Sequence, residues 1–372
     1  MQRSLSSALL PLASALERLL AGREPVAPVE VPLAEARGAV SAAEVVSPVD
    51  VPKGPTAMRD GWAVSYSAVI GASQTSPVLL PRAPSWVEAG DGLPASADTV
   101  LPPDALEAGT EREVIADAAP GEGAVVPGAA LAAGRPIIGA GERVGPLHLL
   151  ALACAGVTEI AVRVPRIAIL ATGGERDRRA LAPALAGMIA AGGAAAVTVG
   201  PAPDDLSGLA EAIGAAATGA DAVFVLGGTG MGRQDGSAVA LSRAGTLAAH
   251  GISLRPGESA GFGDVGGRAG LLLPGRPEAA IATFLALGKP LLRRLAGHCS
   301  VSEATLLPLT RKISSAIGMS EVVFVRGGAG GIEPLGSLDV PLHRLIEADG
   351  WVLVPPEREG YPEGTAVEMM SL

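Results

Sequence analysis

The stretch DAVFVLGGTGMGRQDG runs from Asp221 to Gly236. Five apolar residues, Ala222 to Leu226, run without interruption and stop at two glycines. A strand with one wet face alternates polar and apolar side chains; an unbroken apolar run of strand length belongs to a strand covered on both faces. Beyond Gly236 a helical pattern begins, SAVALSRAGTLAAHG (237–251). The same order recurs on either side. RIAILAT (166–172) precedes ALAPALAGMIAAGG (180–193), a helix closed by glycines. AAVTVG (195–200) precedes DDLSGLAEAIGAAATG (204–219), with Asp204 or Asp205 at its cap. GLLLPG (270–275) precedes PEAAIATFLALGKPLLRRLAG (277–297), a long helix. Apolar strands alternating with helices predict a doubly wound parallel α/β sheet over residues 166–300.

Outward from this centre the texture changes. Residues 26–130 are rich in Pro, Gly and short apolar pieces such as PVAPVEVPL and SPVLLPRAPSWVEAGDGLP, which predicts a β-rich lobe. Residues 1–25 and about 131–165 read as a helical and mixed unit. Residues 1–22 are expected to be helical, with an amphipathic helix from Pro11 that places Leu12, Leu16, Leu19 and Leu20 on one face. LHLLALACAGV (147–157) reads as a helix and EIAVRV (159–164) as a strand. Residues 301–372 return to short strands and turns, a small all-β unit.

The bulk numbers exclude several classes. The 372 residues are 48% hydrophobic, enough to bury sizeable cores. The net charge of −10 argues against general binding to nucleic acid or to an acidic membrane, which both need a basic surface, but leaves room for one small anionic ligand. Cys154 and Cys299 stand far apart with no CxxC, which fits a reducing cytoplasm, and both are expected to be buried apolar residues. The four histidines show no zinc spacing, and His148 and His250 are expected to pack or lie on the surface rather than bind a ligand. Glu17 and Arg18 break the apolar start, which argues against a secretory signal, and LHLLALACAGV is too short to span a bilayer.

Open α/β sheets bind ligands beyond the carboxyl ends of their strands. Three such ends stand out. The first offers Thr172, Gly173, Gly174, Glu175 and Asp177; the second offers Gly227, Gly228, Thr229, Gly230 and Asp235; the third offers Pro274, Gly275 and Arg276. Small residues with backbone N–H groups before a helix suit a phosphate or another anion, although such a turn by itself is more often a plain connection. No GxGxxG opens the first unit and no GxxxxGK[ST] occurs, so dinucleotide and P-loop readings fall away. A further element, GPTAMRDGWAVSY (54–66), carries the turn signal Asp60-Gly61.

Taken in order, these pieces resemble the MoeA family, molybdopterin molybdenumtransferases related to the E domain of gephyrin. TAMRDGWAV is similar to that family's SAMDGYAV, PRIAILATGGE to RPRVAVLSTGDE, LGGTGMGRQD to SGGVSVGxxD, LRPGES to KPGKP, and LLPGRPEAAIATFLALGKPLLRRLAG to LPGNPVSALVTFxxFVxPxLRxLxG. RKISSAIGMSEVVFVR and ADGWVLVPPEREGYPEGTAVEM are similar to its C-terminal pattern. The resemblance implies a central MogA-like α/β domain, a β-rich lobe and a C-terminal β-barrel in an elongated homodimer. The active site would then lie between the α/β domain of one chain and the β-rich lobe of the other. It implies insertion of molybdate into adenylylated molybdopterin with cleavage of the adenylyl bond, assisted by a divalent cation such as Mg²⁺. Asp60, Glu175 and Asp235 would be the catalytic acids, with Asp235 and Glu175 as metal ligands. Thr172, Gly173, Gly174, Gly227, Gly228, Thr229, Gly230, Arg255, Pro274, Gly275 and Arg276 would hold the cofactor. A MogA-like protein or a client molybdoenzyme would be the partner.

The departures point the other way. Arg59 is inserted before the acid of the first motif, Gly174 replaces an acid, Gly230 a serine, Glu258 a lysine and Arg276 an asparagine. MTGAPLPxGAD becomes EAGDGLPASAD, without its Thr. The paired acids of the family's GED motif fall at Ala129 and Ala130; pairing with GERVGPL instead would retain Glu142 but breaks the downstream spacing. Fewer acids weaken a metal site, while Arg276 and Arg59 add fixed positive charge that suits anion holding. A second expectation therefore stands beside the transferase: a carrier, chaperone or regulator that binds molybdopterin without turning it over. A scaffold with a vestigial pocket is a third.

Overall fold

The computed structural model describes residues 9–172, 175–200, 202–203, 205–232, 235–299 and 304–372. Its centre is a six-stranded sheet. The strands are β1 (Arg166–Ala171), β2 (Ala195–Thr198), β3 (Ala222–Leu226), β4 (Thr246–His250), β5 (Gly261–Val265) and β6 (Arg268–Leu273), in the order β2-β1-β3-β6-β5-β4. The first four in that order are parallel neighbours. Helices α1 (Glu175–Ala191), α2 (Leu206–Gly219), α3 (Ser237–Ala244) and α4 (Pro277–Thr283) follow β1, β2, β3 and β6.

The sheet is covered on both faces, as the apolar runs require. All five residues of β3 are buried. Ala222, Phe224 and Leu226 enter one core with Leu185 and Ile189 of α1 and with the helix after β6, where Phe224 meets Phe284 edge to face with centroids 6.4 Å apart. Val223 and Val225 enter a second core with Leu209 and Ile213 of α2 and Leu241 of α3. The Asp205 carboxylate caps α2 by accepting from the N–H groups of Ser207 and Gly208; Asp204 lies outside the described residues.

Two expectations are corrected here. The sheet is not parallel throughout, because β5 and β4 run antiparallel to their neighbours. Gly266 and Gly267, both at positive φ, turn β5 into β6 within two residues, and so short a link can join only antiparallel strands. Nor is 237–251 one helix. It ends at Ala244, and 246–250 is strand β4. A Cβ at Gly245 would lie 2.0 Å from the Asp264 carbonyl, so the chain passes there against β5 where a continued helix would have no room.

Ile252–Arg255 leaves the central unit and pairs with Leu10–Pro11 on one side and with Ser320–Gly328 on the other, parallel to both. Helix Leu12–Leu20 follows, with Leu12, Ala15 and Leu19 buried on the central core. The expected helix over 1–22 is thus shorter, since Leu10 and Pro11 are strand and residues 1–8 lie outside the described set. In the C-terminal part, Gly331–Gly336, Ser320–Gly328, Gly350–Val354, Ala366–Ser371 and Ala304–Pro308 pair in that order. A bridge between Leu309 and Ile332 closes them into a barrel. Val323, Val325, Val352 and Val354 fill it, while the alternate residues Val322, Phe324 and Trp351 pack outward on the central core.

In the N-terminal half, Gly61–Val64 pairs with Ser85–Val87 and Thr99–Leu101, and Trp62 meets Trp86 edge to face at 5.0 Å. Val29–Pro32 and Val40–Ser41 pair instead with Glu159–Arg163, beyond helix Pro146–Cys154. Cys154 and Cys299 are exposed, not buried. Cys154 ends a nine-residue helix whose Leu147 and Leu150 are exposed as well, so that face of the helix carries no cover.

Candidate functional site

The carboxyl ends of β1, β3 and β6 come together as the topology demands. Thr172, just past β1, donates its N–H to the Leu226 carbonyl at 2.8 Å and its hydroxyl to the same oxygen at 3.0 Å. Gly227 donates to the Leu273 carbonyl at 2.8 Å, which ties the second loop to the third. A Cβ on Gly275 would stand 3.5 Å from the Gly227 Cα. Between these loops lies a small pocket of about 80 Å³, lined by Ala171, Thr172, Leu181, Leu226, Gly227, Gly228 and Gly275.

Two glycines are required by this packing. Gly227 and Gly228 have φ of 89° and 61°. A Cβ on Gly228 would sit 2.8 Å from Ser237 Oγ and 3.1 Å from Thr172 Oγ1. Ser237 is fully buried; its hydroxyl donates to the Gly227 carbonyl at 2.7 Å and its N–H to the Gly228 carbonyl at 3.0 Å. The start of α3 therefore holds the loop from below. Thr229 is buried and shares a hydrogen bond with Ser259 Oγ at 2.9 Å, while His250 Nε2 lies 2.8 Å from the Thr229 carbonyl. Among the described residues, no acceptor takes the N–H of Gly228, Thr229 or Gly230. That is the donor pattern of an anion cradle.

The candidate acids fare differently. Asp235 bends back into its own loop: its carboxylate accepts the Gly232 N–H at 2.6 Å, and a Cβ on Gly230 would lie 2.7 Å from the same oxygen. Glu175 opens α1, but its side chain lies outside the described set, as do Gly173 and Gly174. Asp60 stands just before the strand Gly61–Val64, exposed, accepting the Ala89 N–H at 2.9 Å, and none of the pocket-lining residues comes from its lobe. Among the described residues, no three His, Cys, Asp or Glu side chains gather as a cation site would need. The described donors there do not by themselves make up a divalent-ion site; the Glu175 side chain lies outside the described set.

The added arginines are engaged within the protein, which corrects the reading of them as spare positive charge. Arg59 donates twice to the Val100 carbonyl, at 3.0 and 2.6 Å, and to Glu122 at 3.1 Å; the backbone of Ala119 and then Arg59 hold the Glu122 carboxyl below its usual range. Arg276 pairs with the buried Glu278 at 2.5 Å and with Asp339 of the barrel. Burial lowers the Arg276 pKa, and the two carboxylates outweigh it and raise it. Glu258 also acquires a reason. It faces Arg255 at 3.6 Å and accepts the Gly257 N–H at 3.1 Å, so Arg255 too is partly neutralised.

Sequence reasoning missed Ser237, Ser259 and His250, the residues that support the loop. Ser237 was readable as the first position of a helix directly after a glycine turn. His250 ends a strand that lies within the stretch 237–251 expected to be helical, and Ser259 closes LRPGES, between Ile252–Arg255 and β5.

Fold and loops together define an α/β protein with a glycine-walled pocket at its strand ends. Residues 10–156 match the "MoeA N-terminal region (domain I and II)", and residues 168–294 match the "Probable molybdopterin binding domain" of molybdenum cofactor biosynthesis. The chain is 28% identical to molybdopterin molybdenumtransferase 2 of Mycobacterium tuberculosis over 310 residues, covering 73% of this chain and 76% of that one. It is 27% identical over 412 residues to the molybdopterin molybdenumtransferase of Synechococcus elongatus, covering 98% and 100%. A crystal structure of a molybdopterin biosynthesis MoeA protein from Pyrococcus superposes with a TM-score of 0.78 at 27% identity, covering 98% of this chain and 99% of that one. The chain belongs to the MoeA family, and so to the proteins of molybdenum cofactor biosynthesis. Among the described residues, no helix is long and apolar enough to cross a membrane.

Proposed function

We propose that this chain is a molybdopterin molybdenumtransferase that takes adenylylated molybdopterin and molybdate as substrates. The observation that carries the reading is the glycine-walled pocket between Thr172, Gly227, Gly228 and Gly275. Its volume of about 80 Å³ is far below the roughly 300–1,000 Å³ of a pocket that encloses a whole ligand. It suits one end of the substrate, the phosphate of the pterin side chain, with the ring system outside. The N–H group of Gly228, which lines the pocket, would donate to the phosphate oxygens, and those of Thr229 and Gly230 follow it in the same loop. Ser237, Ser259 and His250 keep those donors in place, so little reorganisation is needed when charge shifts as the adenylyl bond breaks. Asp235 acts on the loop through Gly232 and is a positioning residue in this reading. A divalent cation, a homodimeric site completed by Asp60 of a second copy, and a cytoplasmic setting go with the same proposal and rest on the family resemblance.

The carrier reading rests on the lost acids and on the positive charge of Arg276 and Arg59. Both guanidinium groups are already paired to carboxylates or carbonyls of the chain, which weakens the second of these supports. The test is to mix purified protein with adenylylated molybdopterin and molybdate and to measure AMP. Molybdate-dependent AMP release is expected. Retention of the intact adenylylated pterin with no AMP would replace the transferase by the carrier.

A further inference from the structure

We propose that the large groove between helix Leu12–Leu20, α1, the continuation of α4 and the barrel is a second binding site, which takes a small amphipathic anion: one acidic head on an apolar body. This proposal does not rest on the transferase reading. The groove has a volume of about 1060 Å³ and shares no lining residue with the small pocket. Its walls are largely apolar, with Leu16, Met188 and Phe324 from three different elements. Such a volume is at the upper end of what drug-sized ligands occupy.

Two polar groups in this apolar setting lack what they need. Lys289 lies on α5 (Lys289–Ala296), which continues α4 through a π-helical stretch, Phe284–Gly288. Its ammonium is half-buried and donates to the Ser371 carbonyl at 2.9 Å. Among the described residues, no carboxylate forms an ion pair with it. The charged neighbours that bear on it are Arg293 and Arg143; burial first, then these two, pull its pKa below the ordinary lysine range. Trp351 is 5% exposed, and its buried indole N–H finds no acceptor in the protein. A half-buried cation without a counter-charge and a buried donor without an acceptor are both costly, and both line one groove. A ligand bearing an anionic acceptor would meet both needs, and its apolar body would cover the walls. Of the acidic groups whose residues line the groove, Glu142 accepts the Gly139 N–H at 2.8 Å, and the carboxylate of Leu372 forms no ion pair with Lys289. Arg143 donates to the carbonyls of Gly38 and Ala191, and so contributes field rather than a spare hydrogen bond.

The probe is 8-anilinonaphthalene-1-sulfonate, an aromatic sulfonate whose fluorescence rises in apolar surroundings, titrated into the full chain and displaced by decanoate or by decanol. We expect a single saturable site. Lys289→Met, which keeps length and apolar bulk, should weaken binding by about tenfold or more, the scale of one charge-assisted hydrogen bond. Trp351→Phe should weaken it severalfold, and decanoate should displace the dye at far lower concentration than decanol. Wild-type affinity in both variants, or equal displacement by decanol, would overturn the proposal by reducing the groove to an apolar surface. Light scattering at the assay concentration supplies the last check: dye bound solely by monomer and excluded from a dimer would assign the groove to a second copy of the chain and would also overturn it.

Discussion

Replacing Gly228 by alanine probes the loop account at its tightest point. The residue has φ of 61°, where a side chain costs about 1–2 kcal/mol. The new Cβ would stand 2.8 Å from Ser237 Oγ, against ordinary contact near 3.4 Å or more, so the hydroxyl must swing away. Its 2.7 Å bond to the Gly227 carbonyl is then lost in a fully buried place, a further cost of about 1–3 kcal/mol. The sum, about 2–5 kcal/mol, is smaller than the stability of most domains. The chain should therefore stay folded and relieve the strain by moving the loop, at the expense of ligand binding. At about 1.4 kcal/mol per tenfold, molybdopterin affinity falls by between about thirtyfold and a few thousandfold. The double variant Gly228→Ala, Ser237→Ala removes the collision but keeps both the φ penalty and the loss of the bond to the Gly227 carbonyl, so it should bind no better than Gly228→Ala, within about threefold. Binding is read by calorimetry, folding by urea denaturation. Wild-type affinity in Gly228→Ala, with an unchanged urea midpoint, would refute the reasoning, because a loop that tolerates that Cβ is not packed as described.

Other outcomes follow from the same contacts. Asp235→Ala deletes the brace on Gly232, and AMP release should fall by a larger factor than pterin affinity in a side-by-side kinetic and binding assay. Asp339→Asn takes one carboxylate from Arg276 while buried Glu278 remains, and should raise the affinity for inorganic phosphate, measured by calorimetry. Phe224→Ala removes a fully buried ring from the main core and should cost about 3–5 kcal/mol in urea unfolding. Lys289 carries a sign that can be checked. Its pKa is lowered in the folded chain, so the unfolded chain binds more protons between that lowered value and 10.5, and stability rises with pH across this window. Lys289→Met should flatten that rise and be more stable than wild type at neutral pH in the absence of ligand.

The fold was legible where burial dictates sequence. Residues 222–226 read as a strand covered on both faces, and the cap of α2 was legible as Asp204 or Asp205, of which Asp205 makes the capping bonds. The hairpin 246–265 was not legible, because TLAAH is as compatible with a helix as with a strand, and what decides it is the passage of Gly245 against the Asp264 carbonyl. The recruitment of Leu10–Pro11 and Ile252–Arg255 into the barrel sheet involves partners more than two hundred residues apart, which local pattern does not encode. The glycines of the site could be read from sequence, since strand ends in an open sheet have few other places to gather. The state of the charges could not be. Arg276 as a motif position suggests an anion ligand; Glu278, two residues on, and Asp339, in the barrel, show that its positive charge is already matched.

The central claim is that this loop serves molybdenum insertion in a living pathway. Its most direct test is complementation of a bacterial strain that lacks its molybdenum insertase, with nitrate reductase activity as the readout. The account predicts that the wild-type chain restores activity at ordinary molybdate and that Gly228→Ala, expressed to the same level, does not. Failure of the wild-type chain at matched expression, or equal rescue by Gly228→Ala, would contradict it.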